Sequence, residues 1–169
     1  IRSFKIKIRD YIFLLVTFLI IPFTFLNLGQ DFNWDLQNYH LYIPITYFEG
    51  SFDSDIAPAG IQSYLNILFC LPAYLIHKFS NSPFFSFIMG LNLSFFQGLC
   101  GPIIFLVSKK LLNISKLNAL ICSLIGISGA ILLSEAGTTF GDLTLSVLQL
   151  SSLLVCCTSF KIENKEKFK

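Results

Sequence analysis

The chain has 169 residues, of which 54% are hydrophobic and 13% charged, with a formal net charge of +2; its mean hydropathy is +0.69. A soluble domain needs more charge than this to cover its surface, so the composition is that of a bilayer protein. So small a net charge leaves no electrostatic footprint for nucleic acid.

In chain order, a basic segment (Arg2, Lys5, Lys7, Arg9) precedes a first apolar block from Tyr11 to Leu28, 18 residues or roughly 27 Å as a helix. It is longer than the apolar region of a signal peptide, and no small-residue cleavage site follows in Asn27-Leu28-Gly29-Gln30-Asp31, so it reads as a retained anchor. Further spans are expected over Phe84 to Ser108, Leu117 to Ser134 and Leu143 to Phe160. Glycines 90, 98 and 101 in the second span suit close helix contact, and Pro102 should kink it near its end. The five cysteines sit in apolar blocks without metal-ligand spacing and read as packed thiols. The chain starts at Ile1 and holds a single Met, Met89, which reads as part of a longer frame.

A further block, Ile61 to Phe79, is wetter, carrying Gln62, Ser63, Tyr64, Asn66, Pro72, Tyr74 and His77. The positive-inside rule decides its status. If it does not span, the chain crosses four times with both ends cytoplasmic, and eleven of the twelve basic residues lie inside. If it spans, only five do. The expectation is therefore an all-α polytopic transmembrane bundle forming a single membrane domain over 1–169. An outer loop covers 29–82, and an amphipathic helix over 61–79 lies on the outer face.

That face collects the acid. The large loop holds Asp31, Asp35, Glu49, Asp53 and Asp55, with Lys78 as its one basic residue; the short turn between the third and fourth spans adds Glu135 and Asp142. The densest run is Trp34-Asp35-Leu36-Gln37-Asn38-Tyr39-His40-Leu41-Tyr42. Trp and Tyr belt most membrane interfaces and loop carboxylates are usually solvated. Yet so many hydrogen-bonding side chains beside lipid are costly unless used. A carboxylate held there and partly desolvated can act as a general base, which singles out Asp35. Were Leu36 to Phe48 helical, Asn38, Tyr42 and Ile45 would share a face, with Asp35 and Tyr39 beside it. His40 reads either as a hydrogen-bonding partner of the tyrosines or as a proton carrier or metal ligand.

The order of these features resembles the GT-C-fold glycosyltransferases, polytopic enzymes that use polyprenyl-phosphate sugars. The resemblance rests on a first span, an outer loop with an acidic residue near its start and amphipathic outer helices. A span ending in Lys109-Lys110 and an outer turn leading to Asp142-Leu143-Thr144-Leu145 complete it. The stretches from Trp34 to Pro44 and from Asp55 to Tyr64 look like an uncharacterised bacterial subgroup. By that resemblance Asp35 is the catalytic base, or alternatively Asp31. Gln37, Asn38, Tyr39, His40 and Tyr42 contact substrate, and Lys78 is the one outer cation for the donor's phosphate. Asp142, with Glu135, would help hold a divalent cation such as Mg or Mn. The implied setting is a bacterial inner membrane, with a lipid-linked sugar donor and a glycan or lipid acceptor on the periplasmic side. The family carries more spans and an outer Arg or Lys, which a further C-terminal part would supply. The alternative from another class is a non-catalytic membrane subunit presenting the acidic loop. A transporter is disfavoured because the spans carry almost no charge.

Overall fold

The structure, a computed structural model, describes residues 8–29, 31, 33–51, 59–64, 67–79 and 84–166. Asp53 and Asp55 lie outside them, as does most of the turn leading to Gly60. The side chains of Gln37 and of the terminal basic residues are likewise not described. The described residues are helical, with no strand among them. Two helical segments are long and apolar enough to cross a membrane, Asp10–Leu28 and Phe85–Leu111; the apolar stretches Lys116–Ile127 and Gly141–Cys156 are shorter.

Helix α1 (Ile8–Leu28) buries one face and leaves the other exposed. Thr17, Ile21 and Phe25, one turn apart, are fully buried, while Ile12, Leu15, Val16, Leu19, Phe23 and Leu26 are exposed. Against α1 runs an antiparallel pair in series, α4 (Phe85–Gln97) and α5 (Cys100–Leu111). The register shows in the contacts: Phe25 meets Phe87, Phe18 meets Phe95 and Phe13 meets Phe105. Between the aromatic pairs the backbones close in at glycines. A Cβ on Gly98 would fall 2.7 Å from the Phe18 carbonyl, and one on Gly101 would strike the carbonyl of Thr17. The Phe18 carbonyl is available because Pro22 has no N–H to give it. In lipid, where apolar side chains gain nothing by leaving solvent, such close packing is what holds helices together.

The second segment breaks earlier than expected. Its discontinuity is at Gly98–Leu99, where the Leu99 N–H turns back to the Phe96 carbonyl in a tight bond. Pro102 lacks the N–H that would have continued the ladder to Gly98, so the break sits one turn before the proline. The span expected over 117–134 is likewise interrupted. Helix α6 (Lys116–Ile127) ends at Ser128–Gly129, and the short α7 (Ala130–Ser134) follows. Gly126 and Gly129 weaken the helix there, and the Ser128 hydroxyl donates to the Ile125 carbonyl. Helix α8 (Gly141–Glu166) returns along α5. Cys100, Ile127, Leu143 and Val147 join α5, α6 and α8 in one core cluster.

At one end of α1, Asp10 is buried and paired with Lys109 Nζ at 3.1 Å and Lys116 Nζ at 2.5 Å. The pairs tie α1 to both sides of the α5–α6 turn. Asp10→Ala would leave the two ammonium groups facing each other. Because both lysines keep some solvent contact, the expected loss is about 1–3 kcal/mol, below the cost for a fully buried pair. Thermal unfolding in detergent should show the drop, and adding Lys109→Met should recover part of it. An unchanged midpoint for Asp10→Ala would mean the pairs are solvated and idle.

At the other end lies a layer that covers α4. Asn33 starts it: its side-chain oxygen accepts the Leu36 N–H at 2.7 Å, a helix N-cap. The chain then takes a π-helical turn (Leu36–His40), seen in the Leu41 N–H bond back to the Leu36 carbonyl, before α2 (Tyr42–Glu49). Gly50, with φ 82°, closes α2 in the left-handed conformation. The segment expected as one helix over 61–79 comes in two pieces, a 3-10 turn (Gly60–Tyr64) and α3 (Ile67–Phe79). At 13 residues, α3 is about 20 Å long, short of a bilayer's hydrocarbon core. Leu36, Ala73 and Met89 pack the π turn, α3 and α4 together.

Candidate functional site

The acidic aromatic run and the turn before α8 meet at this end. Three residues that the sequence places far apart form a chain of contacts. Asp31 Oδ2 accepts the Thr139 backbone N–H at 2.9 Å and the Thr139 hydroxyl at 3.1 Å. The same hydroxyl lies 2.8 Å from His40 Nδ1. Asp31, His40 and Thr139 are all buried. The other Asp31 oxygen accepts the Asn33 backbone N–H at 2.9 Å and the Asn33 side-chain amide. Four donors therefore converge on Asp31, which makes it an anchor for the loop rather than a base in reach of substrate.

Asp35 sits differently. It is half-buried and opens the π turn. A π turn is wider than an α turn, and the Asp35 charge acts on the residues four and five ahead. These are Tyr39 and His40. Burial pushes the Tyr39 phenol up to about 12, and the neighbouring Asp35 charge and a hydrogen bond to Asp35 push the same way. The phenol thus stays protonated and donates to the carboxylate. Burial lowers the pKa of His40 below its ordinary 6.5, and the nearby Asp35 and Asp31 oppose that fall.

The linkage has a definite sign. A histidine whose folded pKa lies below its unfolded one contributes stability that is present above the unfolded value and lost as pH falls through the folded one. The thermal midpoint should hold above the ordinary histidine value of 6.5 and decline as pH falls below it, and His40→Gln should flatten that decline. An acid limb that survives His40→Gln would assign it to another group.

The remaining residues of the run divide by role. The Asn38 amide donates to its own helix at the Trp34 carbonyl, 2.8 Å away. Tyr42 packs partly buried beside Tyr39, Ile43 and Cys70. Lys78 is exposed on α3, its ammonium 5.6 Å from the centre of the Tyr74 ring. A cavity of about 40 Å³ opens beside His40, lined also by Cys70, Leu93, Thr138, Thr139 and Thr144. It has room for water molecules. Burial raises the Cys70 thiol to about 11, which keeps it from being a nucleophile.

Glu135 and Asp142 are near enough to interact. Burial, and secondly the Asp142 charge, raise the Glu135 carboxyl above its usual range. Its Oε2 is buried with no hydrogen-bond partner among the described residues. No group of three or more His, Cys, Asp or Glu able to hold a metal ion gathers among the described residues, and two carboxylates alone fall well short of a hard cation's oxygen set. The pair does not fit a metal centre.

Two residues that matter here escaped the sequence reading. Thr139 was one of two threonines in a glycine-flanked turn. Gln97 is fully buried at the α4–α5 break; its oxygen accepts the Gly137 N–H at 2.7 Å and its amide donates to the Thr138 carbonyl at 3.2 Å. It holds the Thr138–Thr139 turn in place. The signal for Gln97 was present, since a lone amide inside an apolar block is costly unless partnered.

No family model matches the chain, and neither a curated protein nor a solved structure does.

Proposed function

We propose that this chain supplies the acidic active-site end of an integral-membrane glycosyltransferase. It would transfer a sugar from a polyprenyl-phosphate donor to a glycan or lipid acceptor on the periplasmic face of a bacterial inner membrane. The observation that carries the reading is the contrast between the two aspartates. Asp31 is consumed by four donors, whereas Asp35 is only partly buried and its charge acts on Tyr39 and His40.

In this reading the four apolar segments all cross the bilayer. The Asp10–Lys109–Lys116 cluster marks the cytoplasmic end, in keeping with the positive-inside rule. The exposed apolar face of α1 meets lipid or further helices of the full-length protein. Asp35 takes the proton of the acceptor hydroxyl as that oxygen attacks the anomeric carbon, and the lipid phosphate departs with the bonding electron pair. The Tyr39 hydrogen bond steadies the carboxylate. Lys78, exposed above Tyr74 near the surface, is the cation available to the donor's phosphate. No step passes through a metal.

The test uses membranes containing the full-length protein, supplied with radiolabelled polyprenyl-phosphate sugars. Protein-dependent transfer of label to a lipid or glycan product is expected. If no such donor gives product above membranes lacking the protein, the reading fails.

A further inference from the structure

The contacts around Thr139 restrict where protons can sit. A carboxylate only accepts hydrogen bonds, and a threonine hydroxyl has one proton to give. Thr139 Oγ1 is 3.1 Å from Asp31 Oδ2 and 2.8 Å from His40 Nδ1. If the hydroxyl proton goes to Asp31, the contact with His40 needs a proton from the imidazole. Nδ1 must then be the protonated nitrogen of neutral His40, and Nε2 must carry the lone pair. Which ring nitrogen holds the proton is set by the bond the other one makes, and here that bond runs through a hydroxyl to a buried carboxylate.

We propose that Thr139 is a positioning residue which, with Asp31, holds His40 in the Nδ1–H form and makes His40 Nε2 a proton-accepting atom of the site. The use of that atom rests on the acid–base function proposed above; the tautomer does not. In use, the proton of an acceptor hydroxyl comes to rest on Nε2. One O–H bond is broken and one N–H bond formed. The imidazolium is offset by Asp35 beside it and by Asp31 through Thr139. The groups near His40 include these two carboxylates, the Thr139 hydroxyl, the Tyr39 ring at 4.5 Å, and Cys70 across the cavity. Burial favours the neutral ring, so the lone pair on the ring is present at neutral pH. Asp31 then holds the ring's orientation without meeting substrate, as a carboxylate behind a histidine does in other acid–base sites.

His77→Gln removes the other histidine of this sequence, and the signal that His40→Gln removes identifies His40 among any that remain. The full-length protein, labelled with 15N-histidine and held in lipid nanodiscs, should show a protonated Nδ1 and an unprotonated Nε2 at neutral pH. On acidification the change should appear at Nε2. Thr139→Ser should keep this pattern, and Thr139→Val should shift it toward Nε2–H. A dominant Nε2–H form in the His77→Gln protein overturns the proposal, as does a pattern unmoved by Thr139→Val. Should the valine variant fail to fold, the His77→Gln spectrum and its acid titration decide alone. The measurement needs no substrate, so an Nδ1–H tautomer in a protein without transfer activity would sink only the functional reading.

Discussion

Asp35→Asn is expected to reduce sugar transfer by about 10²–10⁴-fold, the usual contribution of a positioned general base. The amide keeps the size and an acceptor oxygen for Tyr39, so the π turn should survive. Abundance in the membrane and the thermal midpoint should stay near those of the parent. Asp31→Asn should behave the opposite way. An amide cannot accept hydrogen bonds at all four places where Asp31 receives them from Asn33 and Thr139. One donor at least is left unsatisfied in a buried site, at about 1–3 kcal/mol. Its transfer rate should fall together with stability. Rates and midpoints measured side by side separate the two aspartates. Full turnover in Asp35→Asn would remove this residue as the base, and full turnover in both variants would support a non-catalytic subunit.

The largest stability effect is expected at Gly137. Its φ is +74°, and a Cβ there would lie 2.8 Å from both the Gly90 carbonyl and a Phe25 ring carbon. The left-handed conformation costs a non-glycine residue about 1–2 kcal/mol, and overpacking a tight contact adds about 1–3 kcal/mol. Gly137→Ala should therefore lose about 2–5 kcal/mol. Relief by movement would be no cheaper, because the Gly137 N–H is bonded to buried Gln97 and the next two residues carry the Thr139 contacts. Gly129→Ala is the control: its nearest neighbour would be a Leu132 methyl at 3.7 Å, an ordinary contact at negative φ. Thermal unfolding of both in detergent checks the comparison. Equal midpoints would show that the α7–α8 turn is looser than its contacts imply.

Reading the chain alone found the acidic end of the molecule but ranked its residues incompletely. Asp35 stood out because aromatic and polar neighbours crowd it in sequence. Asp31 stood as an alternative, since nothing local distinguishes an aspartate that holds a loop from one that faces substrate. The helix anticipated from residue 36 was given α-helical phase; the π turn shifts it, and both Tyr39 and His40 feel the Asp35 charge. Asn38 and Glu135 drew attention as polar residues in suggestive places. One spends its amide on its own helix, and the other carries a raised pKa without a ligand set around it.

The sequence by itself determined that the chain is helical and strongly apolar, where its two longest apolar segments lie, and that acid and base collect at different helix ends. Those properties follow from the composition of contiguous windows. The tertiary structure decided where the helices break, which glycines α1 presses against, and which titratable groups share a site. Thr139 meets His40 across 99 residues and Asp31 across 108, and Asp10 meets Lys109 across 99. Contacts at such separations depend on how α1 registers against α4 and α5. That register is set by the fit of bulky side chains into glycine gaps, which no single stretch of sequence displays.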